Sequence, residues 1–178
     1  MMQKKVQIIS DGSLDLSQEL TKEKDIEVVP FYVSFDSETY QKEMVEVGVR
    51  EFYQEMVDHP TVFPKTSMPS VHDYYEVFEK HAKEQLPVIC ICITRKFSGS
   101  LQSATTAKDM ILEEYPDAQI TVIDSTVNTV LQGLYVLEAC RLRDMGLEYQ
   151  QIVDALLPIR ETGRIFFTIG SIDYLKHG

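Results

Sequence analysis

The sequence predicts an α/β fold of three layers, with helices on both faces of a mostly parallel sheet. Two observations lead there. Short β-branched runs alternate along the chain with longer amphipathic ones, the pattern of helices laid on a sheet. One of those runs, residues 88–94, is almost wholly apolar, as expected of a strand covered on both faces. Taken in order, the chain reads as a strand over 5–10, a helix over 16–24, an extended run over 26–35 interrupted at Pro30, and a helix over 48–57. A helix over 71–85, the strand over 88–94, a helix over 99–114 and a strand over 119–123 follow. Helices over 128–145 and 149–161 and a strand over 164–169 complete the pattern. The strands at 88–94 and 119–123 are expected at the centre of the sheet. In the helix over 128–145, Val130, Leu134, Leu137, Arg141 and Met145 recur at helical spacing with Arg141 as the polar break, and Gly146 is the expected stop.

Length and composition bound the rest. A chain of 178 residues holds one well-cored domain and the beginning of another. No Pro/Gly-rich linker or low-complexity tract marks a boundary before residue 163, so residues 1–163 read as one α/β domain and 164–178 as the start of a second. Hydrophobic residues at 44% and charged ones at 25% are ordinary globular usage, which argues against disorder and fibrous repeats. The net charge of −11 repels a phosphate backbone and argues against a nucleic-acid partner. Cys90 and Cys92 alternate with isoleucines and read as small hydrophobes on one face of a buried strand; with Cys140 they make no disulfide framework or metal set. The apolar run behind Lys4 and Lys5 stops at Ser10-Asp11, too short for a signal-peptide core, and no stretch approaches a membrane span. A cytoplasmic protein with reduced thiols is expected.

Ligands of open α/β sheets bind outside the carboxyl ends of the strands, so the segments just after strands carry the chemistry. They are Asp11-Gly12-Ser13, Phe97-Ser98-Gly99-Ser100 and Asp124-Ser125-Thr126, with Thr66-Ser67-Met68-Pro69-Ser70 ahead of a helix. All carry hydroxyls. Capping alone accounts for part of this: Ser70 is a good N-cap with Asp73 at the capping-box distance, and Ser98-Gly99-Ser100 has the same reading. Hydroxyls and free N–H donors at a helix start also suit one small anion, preferably a carboxylate. A phosphate site more often has a glycine-rich loop with a dedicated lysine or several arginines; Arg95 and Lys96 keep that option open.

Catalytic constellations fare worse. Lys96 stands where a G-x-S-x-G elbow needs its first glycine. His59, His72, His81 and His177 lie in helices or at their ends and read as surface or structural residues. Asp11 is expected to accept N–H bonds in its turn, and Asp124-Ser125 to brace its loop.

In order, these segments resemble the DegV family, whose members carry D-S-[ST], T-S-Q-P-S, L-S-G-[TS] with Q-S-A, D-S, and L-x-K-G-G-R. Here the matching residues are Asp11-Gly12-Ser13, Thr66-Ser67-Met68-Pro69-Ser70, Phe97-Ser98-Gly99-Ser100 with Gln102-Ser103-Ala104, Asp124-Ser125, and Leu175-Lys176-His177-Gly178. Gly12 replaces a serine, Met68 a glutamine, Arg95-Lys96 a small lead-in, and the closing G-R is not present. The resemblance implies a non-catalytic carrier that binds a long-chain fatty acid and presents its carboxylate to a partner fatty-acid kinase of the dihydroxyacetone-kinase-like type. It implies a DegV-like N-terminal α/β domain with most of a second α/β domain, the one holding the lipid tail, not included. It assigns the carboxylate to Thr66 and Ser98, with Asp11, Ser13, Ser67, Gly99, Ser100, Asp124 and Ser125 as supporting loop residues, and no cofactor or metal. The alternative is an enzyme acting on a small carboxylate or phosphorylated metabolite, with Ser98 or Asp11 in catalysis and Arg95 on the anion.

Overall fold

The computed structural model describes residues 6–166 and 168. The chain divides into two units, one formed by the described residues up to Val29 together with Pro69–Arg164, the other built from Pro30–Met68.

The larger unit is a parallel sheet of strands β1 (Gln7–Asp11), β2 (Ile26–Val29), β6 (Val88–Cys92) and β7 (Ile120–Asp124), in the order β2-β1-β6-β7. Register runs Ser10↔Val28 and Ser10↔Ile91 on either side of β1, and Cys90↔Val122 between β6 and β7. Alternation along each strand builds two separate cores. Ile8, Ile89, Ile91 and Ile123 point to one face, where α5 (Thr129–Asp144) and α6 (Tyr149–Ile159) cover them with Val136, Ala139, Cys140, Ile152 and Leu156. Ile9, Val88, Cys90 and Cys92 point to the other, under Tyr74 and Phe78 of α3 (Val71–Lys83) and Ala104, Ala107 and Ile111 of α4 (Ser100–Glu114). This is the expected three-layer arrangement. Cys90 and Cys92 share a face as predicted, their sulfurs 3.8 Å apart. The centre of the sheet differs in one respect: β6 lies inside, but β7 is an edge among the described residues, and its outer positions are only half-buried.

Helix boundaries follow local chemistry. Ser17 caps α1 (Gln18–Glu23) by accepting the Leu20 N–H. Ser70 and Asp73 form the predicted capping box of α3, with side chain to backbone distances of 3.1 and 2.8 Å. Helix α5 ends in a Schellman motif: Gly146 takes φ +88°, its N–H reaches the Arg143 carbonyl, and the Leu147 N–H reaches that of Leu142. The face of α5 departs from expectation. Val130, Leu134 and Met145 are more than half exposed, while Gly133, Val136, Ala139 and Cys140 are buried with Gln132. Helix α5 is apolar nearly all round, so spacing alone cannot choose the face. Size chooses it: a Cβ on Gly133 would lie 2.3 Å from the Leu14 carbonyl oxygen, a packing distance that only glycine permits.

The smaller unit holds an antiparallel sheet in the order β4-β3-β5, made of β3 (Tyr32–Ser34), β4 (Gln41–Lys42) and β5 (Lys65–Ser67), together with α2 (Val49–Asp58). Pro30 is the break between β2 and β3, and it marks a change of unit rather than a kink in one strand. Val33 and Val47 are buried, and the Phe35 and Phe52 rings meet at 5.1 Å. The Asp36 carboxylate ties the turn after β3, accepting the N–H groups of Glu38 and Thr39 and the Ser34 hydroxyl, and these bonds hold it far below the usual carboxylate range. Strands β4 and β5 escape sequence reading because two or three polar residues carry no periodicity. Of the strand expected over 164–169, Arg164, Ile165 and Phe166 take no strand pairing, and Phe167 and Ile169 lie outside the described residues, as do Lys4, Lys5 and the Leu175-Lys176-His177-Gly178 motif.

Candidate functional site

The carboxyl ends of β1 and β6 converge on Asp11, which is fully buried. Its Oδ2 accepts the Ile93 N–H at 2.9 Å and the Ser100 hydroxyl at 2.7 Å; its Oδ1 lies 2.8 Å from both Gln132 Nε2 and Ser13 Oγ. The turn expectation for Asp11 is therefore corrected. The carboxylate makes no capping bond in the 3-10 turn Gly12–Leu14 and instead ties β1 to the end of β6 and to the starts of α4 and α5. A buried carboxylate is tolerated only where donors replace its lost water; Ile93, Ser100 and Gln132 replace it here, and Ser13 shares its one proton between Asp11 Oδ1 and Gln132 Oε1.

The network extends outward from there. Gln132 Nε2 also lies 3.0 Å from Ser10 Oγ, which donates to the Ile91 carbonyl. Tyr74 Oη is 2.6 Å from Ser100 Oγ; because the Ser100 hydroxyl donates its proton to Asp11 Oδ2, the tyrosine donates to the serine. Burial, together with the neighbouring Cys92 and Asp11, pushes the Tyr74 phenol well above its ordinary value, so it stays a donor. Ser98 stands two residues ahead, half-buried, and its Oγ accepts the Ser100 N–H at 3.2 Å. Gly99, the N-cap of α4, makes no side-chain capping bond.

At the end of β7, Asp124 and Ser125 bond within their own loop. Asp124 accepts the Thr126 N–H, and the buried Ser125 hydroxyl donates to the Val127 carbonyl while accepting the Val127 N–H. Arg95 is mostly exposed, with its Nε 3.6 Å from Asp124 Oδ2. Thr66 and Ser67 stand on β5 of the smaller unit, both exposed, where Thr66 pairs with Val33.

Among the described residues the structure thus joins Asp11, Ser13, Ser98 and Ser100 in one hydrogen-bonded group and adds Ser10, Tyr74 and Gln132, which sequence reading missed. A glutamine on the otherwise small and apolar side of α5 was the available signal for Gln132. Asp11, which the enzyme alternative places in catalysis, has no exposed surface and is held by protein donors.

A second polar group lies at the amino ends of β1 and β2. There a cleft of about 680 Å³ is lined by Gln7, Lys22, Glu27, Lys80, His81 and Glu84 among others. The His81 side chain is buried, with Nε2 2.6 Å from Glu27 Oε2, and Lys80 Nζ lies 3.1 Å from Glu27 Oε1. His59 and His72 are exposed and sit beside glutamates one turn away; His177 lies outside the described residues. No group of metal ligands occurs among the described residues, and no described helix is long and apolar enough to cross a membrane.

The fold is a parallel α/β sheet with a hydrogen-bonded, hydroxyl-rich group at the carboxyl ends of its strands, the end at which ligands of open α/β sheets bind. A family model described as an uncharacterised protein of the DegV family matches residues 5–178, and the chain belongs to that family. A DegV domain-containing protein of Clostridium perfringens is 30% identical over 97% of this chain and 60% of its own length. One from Caldanaerobacter subterraneus is 34% identical over 98% of this chain and 60% of its own. Among solved structures, a stearic-acid-binding protein of Eubacterium ventriosum is 47% identical with a TM-score of 0.92, covering 97% of this chain and 59% of that one. A fatty-acid-binding DegV family protein of Thermus thermophilus is 29% identical with a TM-score of 0.73, covering 88% of this chain and 53% of that one. The chain spans about 60% of the length of these curated relatives.

Proposed function

We propose that this chain supplies the headgroup half of a long-chain fatty-acid carrier, in which Thr66 and Ser98 hold the carboxylate and Asp11, Ser13, Ser67, Gly99, Ser100, Asp124 and Ser125 support the loops. The observation that carries the reading is the likeness to the stearic-acid-binding protein, 47% identical with a TM-score of 0.92. The local chemistry supports it: the Ser98 oxygen accepts the Ser100 amide, so its proton is left for an acceptor such as a carboxylate. In the same proposal the carrier is cytoplasmic and not itself a catalyst, and it offers the bound carboxylate to a fatty-acid kinase. The proposal places the tail against a second α/β domain.

Energetics divide the work. Each buried methylene contributes about 0.8 kcal/mol, whereas hydrogen bonds to a carboxylate contribute about 1.5 to 3 kcal/mol. Affinity for a long acyl chain therefore comes mostly from an apolar channel. Native mass spectrometry of the intact gene product should find fatty acid retained through purification, and the 178-residue chain alone should retain little palmitate or oleate. An intact product that never carries fatty acid would sink the reading. Ser98→Ala in the intact product should lower lipid retention and acyl phosphate formation with the kinase. Loss of turnover on a soluble substrate without the kinase would point to an enzyme instead.

A further inference from the structure

We propose that Asp11 is a positioning residue that acts through Ser100 to fix the Ser98 hydroxyl as an outward donor, making the site selective for an ionised carboxylate over an uncharged head. This rests on the reading of Ser98 as a headgroup ligand. The connection runs through two bonds. The Ser100 hydroxyl donates to Asp11 Oδ2 at 2.7 Å, and the Ser100 N–H donates to Ser98 Oγ at 3.2 Å. Ser100 is the first residue of α4 and is fully buried, so the bond to Asp11 sets where the helix begins and where its first N–H points. Tyr74 donates to the same serine oxygen at 2.6 Å from the opposite element, leaving Ser100 no alternative direction for its proton. The other carboxylate oxygen lies within hydrogen-bond distance of Gln132 and Ser13, and the Ile93 N–H holds the first, so Asp11 cannot turn.

The chemical consequence falls on Ser98. A hydroxyl has one proton and two lone pairs. With a lone pair taken by the Ser100 amide, Ser98 meets a ligand as a donor, and a carboxylate, which only accepts, is the complementary head. An alcohol of the same chain length accepts only a weaker, uncharged bond from the same hydroxyl.

The test is the ratio of affinities for palmitate and hexadecanol, measured by calorimetry on the intact gene product. Wild type should prefer the acid. Asp11→Asn offers one acceptor oxygen where two are used and sets an amide against two donors; it should lower the acid-to-alcohol ratio about tenfold while hexadecanol affinity stays near wild type. Ser100→Ala removes the intermediary and should lower the ratio in the same direction, and it decides the matter if Asp11→Asn does not fold. A role confined to stability would move both affinities together, leaving the ratio unchanged, and would overturn the inference. If Ser98→Ala lowers the ratio but Asp11→Asn and Ser100→Ala keep it, the positioning inference fails and the headgroup reading stands. If Ser98→Ala itself keeps the wild-type ratio, both fail.

Discussion

At Glu27 two neighbours decide the charge of a half-buried carboxylate. Burial by itself would raise its pKa, but hydrogen bonds from His81 and Lys80 outweigh that and bring it below 4.5. The folded state therefore resists protonation more than the unfolded chain does. The stabilisation is fully present above the unfolded value and is lost as pH falls through the lower folded one. Glu27→Gln should accordingly lower the melting temperature at pH 7, and the gap to wild type should close as the pH falls below the ordinary carboxylate value of 4.5. Scanning calorimetry across that range checks the sign: a gap that widens on acidification would contradict the assignment. None of this pairing was legible in the sequence, since His81 and Glu27 are 54 positions apart. Asp11 teaches the same point. Its place after a β-branched run marked it as a strand-end residue, but Ser100 is 89 positions away and Gln132 is 121, and no local pattern announces a meeting at that range.

Among the elements, α5 is where sequence reading and packing diverge most. Its limits were legible within a residue or two because Gly146 supplies the left-handed stop and the run before it contains no proline. Its buried side was not, because large side chains recur at helical spacing on both sides and the tighter contact belongs to the smallest residue. Gly133→Ala should be destabilising although alanine is the better helix former by about 1 kcal/mol. The added carbon would sit 2.3 Å from the Leu14 carbonyl oxygen and 2.8 Å from Leu16 Cδ2, and overpacking of that kind costs about 1 to 3 kcal/mol. Urea denaturation should show a lower midpoint, whereas an unchanged or raised one would mean that the 3-10 turn yields without cost. The capping box of α3 is the opposite case. Ser70 and Asp73 are three positions apart, so the entire interaction lies within the reach of local sequence.

On the scale of the whole molecule, two apolar cores on opposite faces of one sheet bury all three cysteines. Burial pushes the Cys90 thiol well up and that of Cys140 up to about 11. The folded chain should show no fast-reacting thiol with a thiol-specific reagent at pH 7 and release three on unfolding in denaturant, a count read directly from absorbance. Rapid labelling of the folded chain would mean that the cores open.

The α/β class, the order of the long helices and buried strands, and the family membership were legible from the chain, because periodicity and short motifs are local properties that survive without a partner. Tertiary structure decided the rest: that residues after Pro30 form a separate antiparallel unit, that β7 is an edge among the described residues, which side of α5 is buried, and that Asp11 is a buried hub rather than a turn residue. Each of these depends on which distant groups become neighbours. Burial and hydrogen-bond satisfaction are properties of that neighbourhood, and a linear pattern does not contain it.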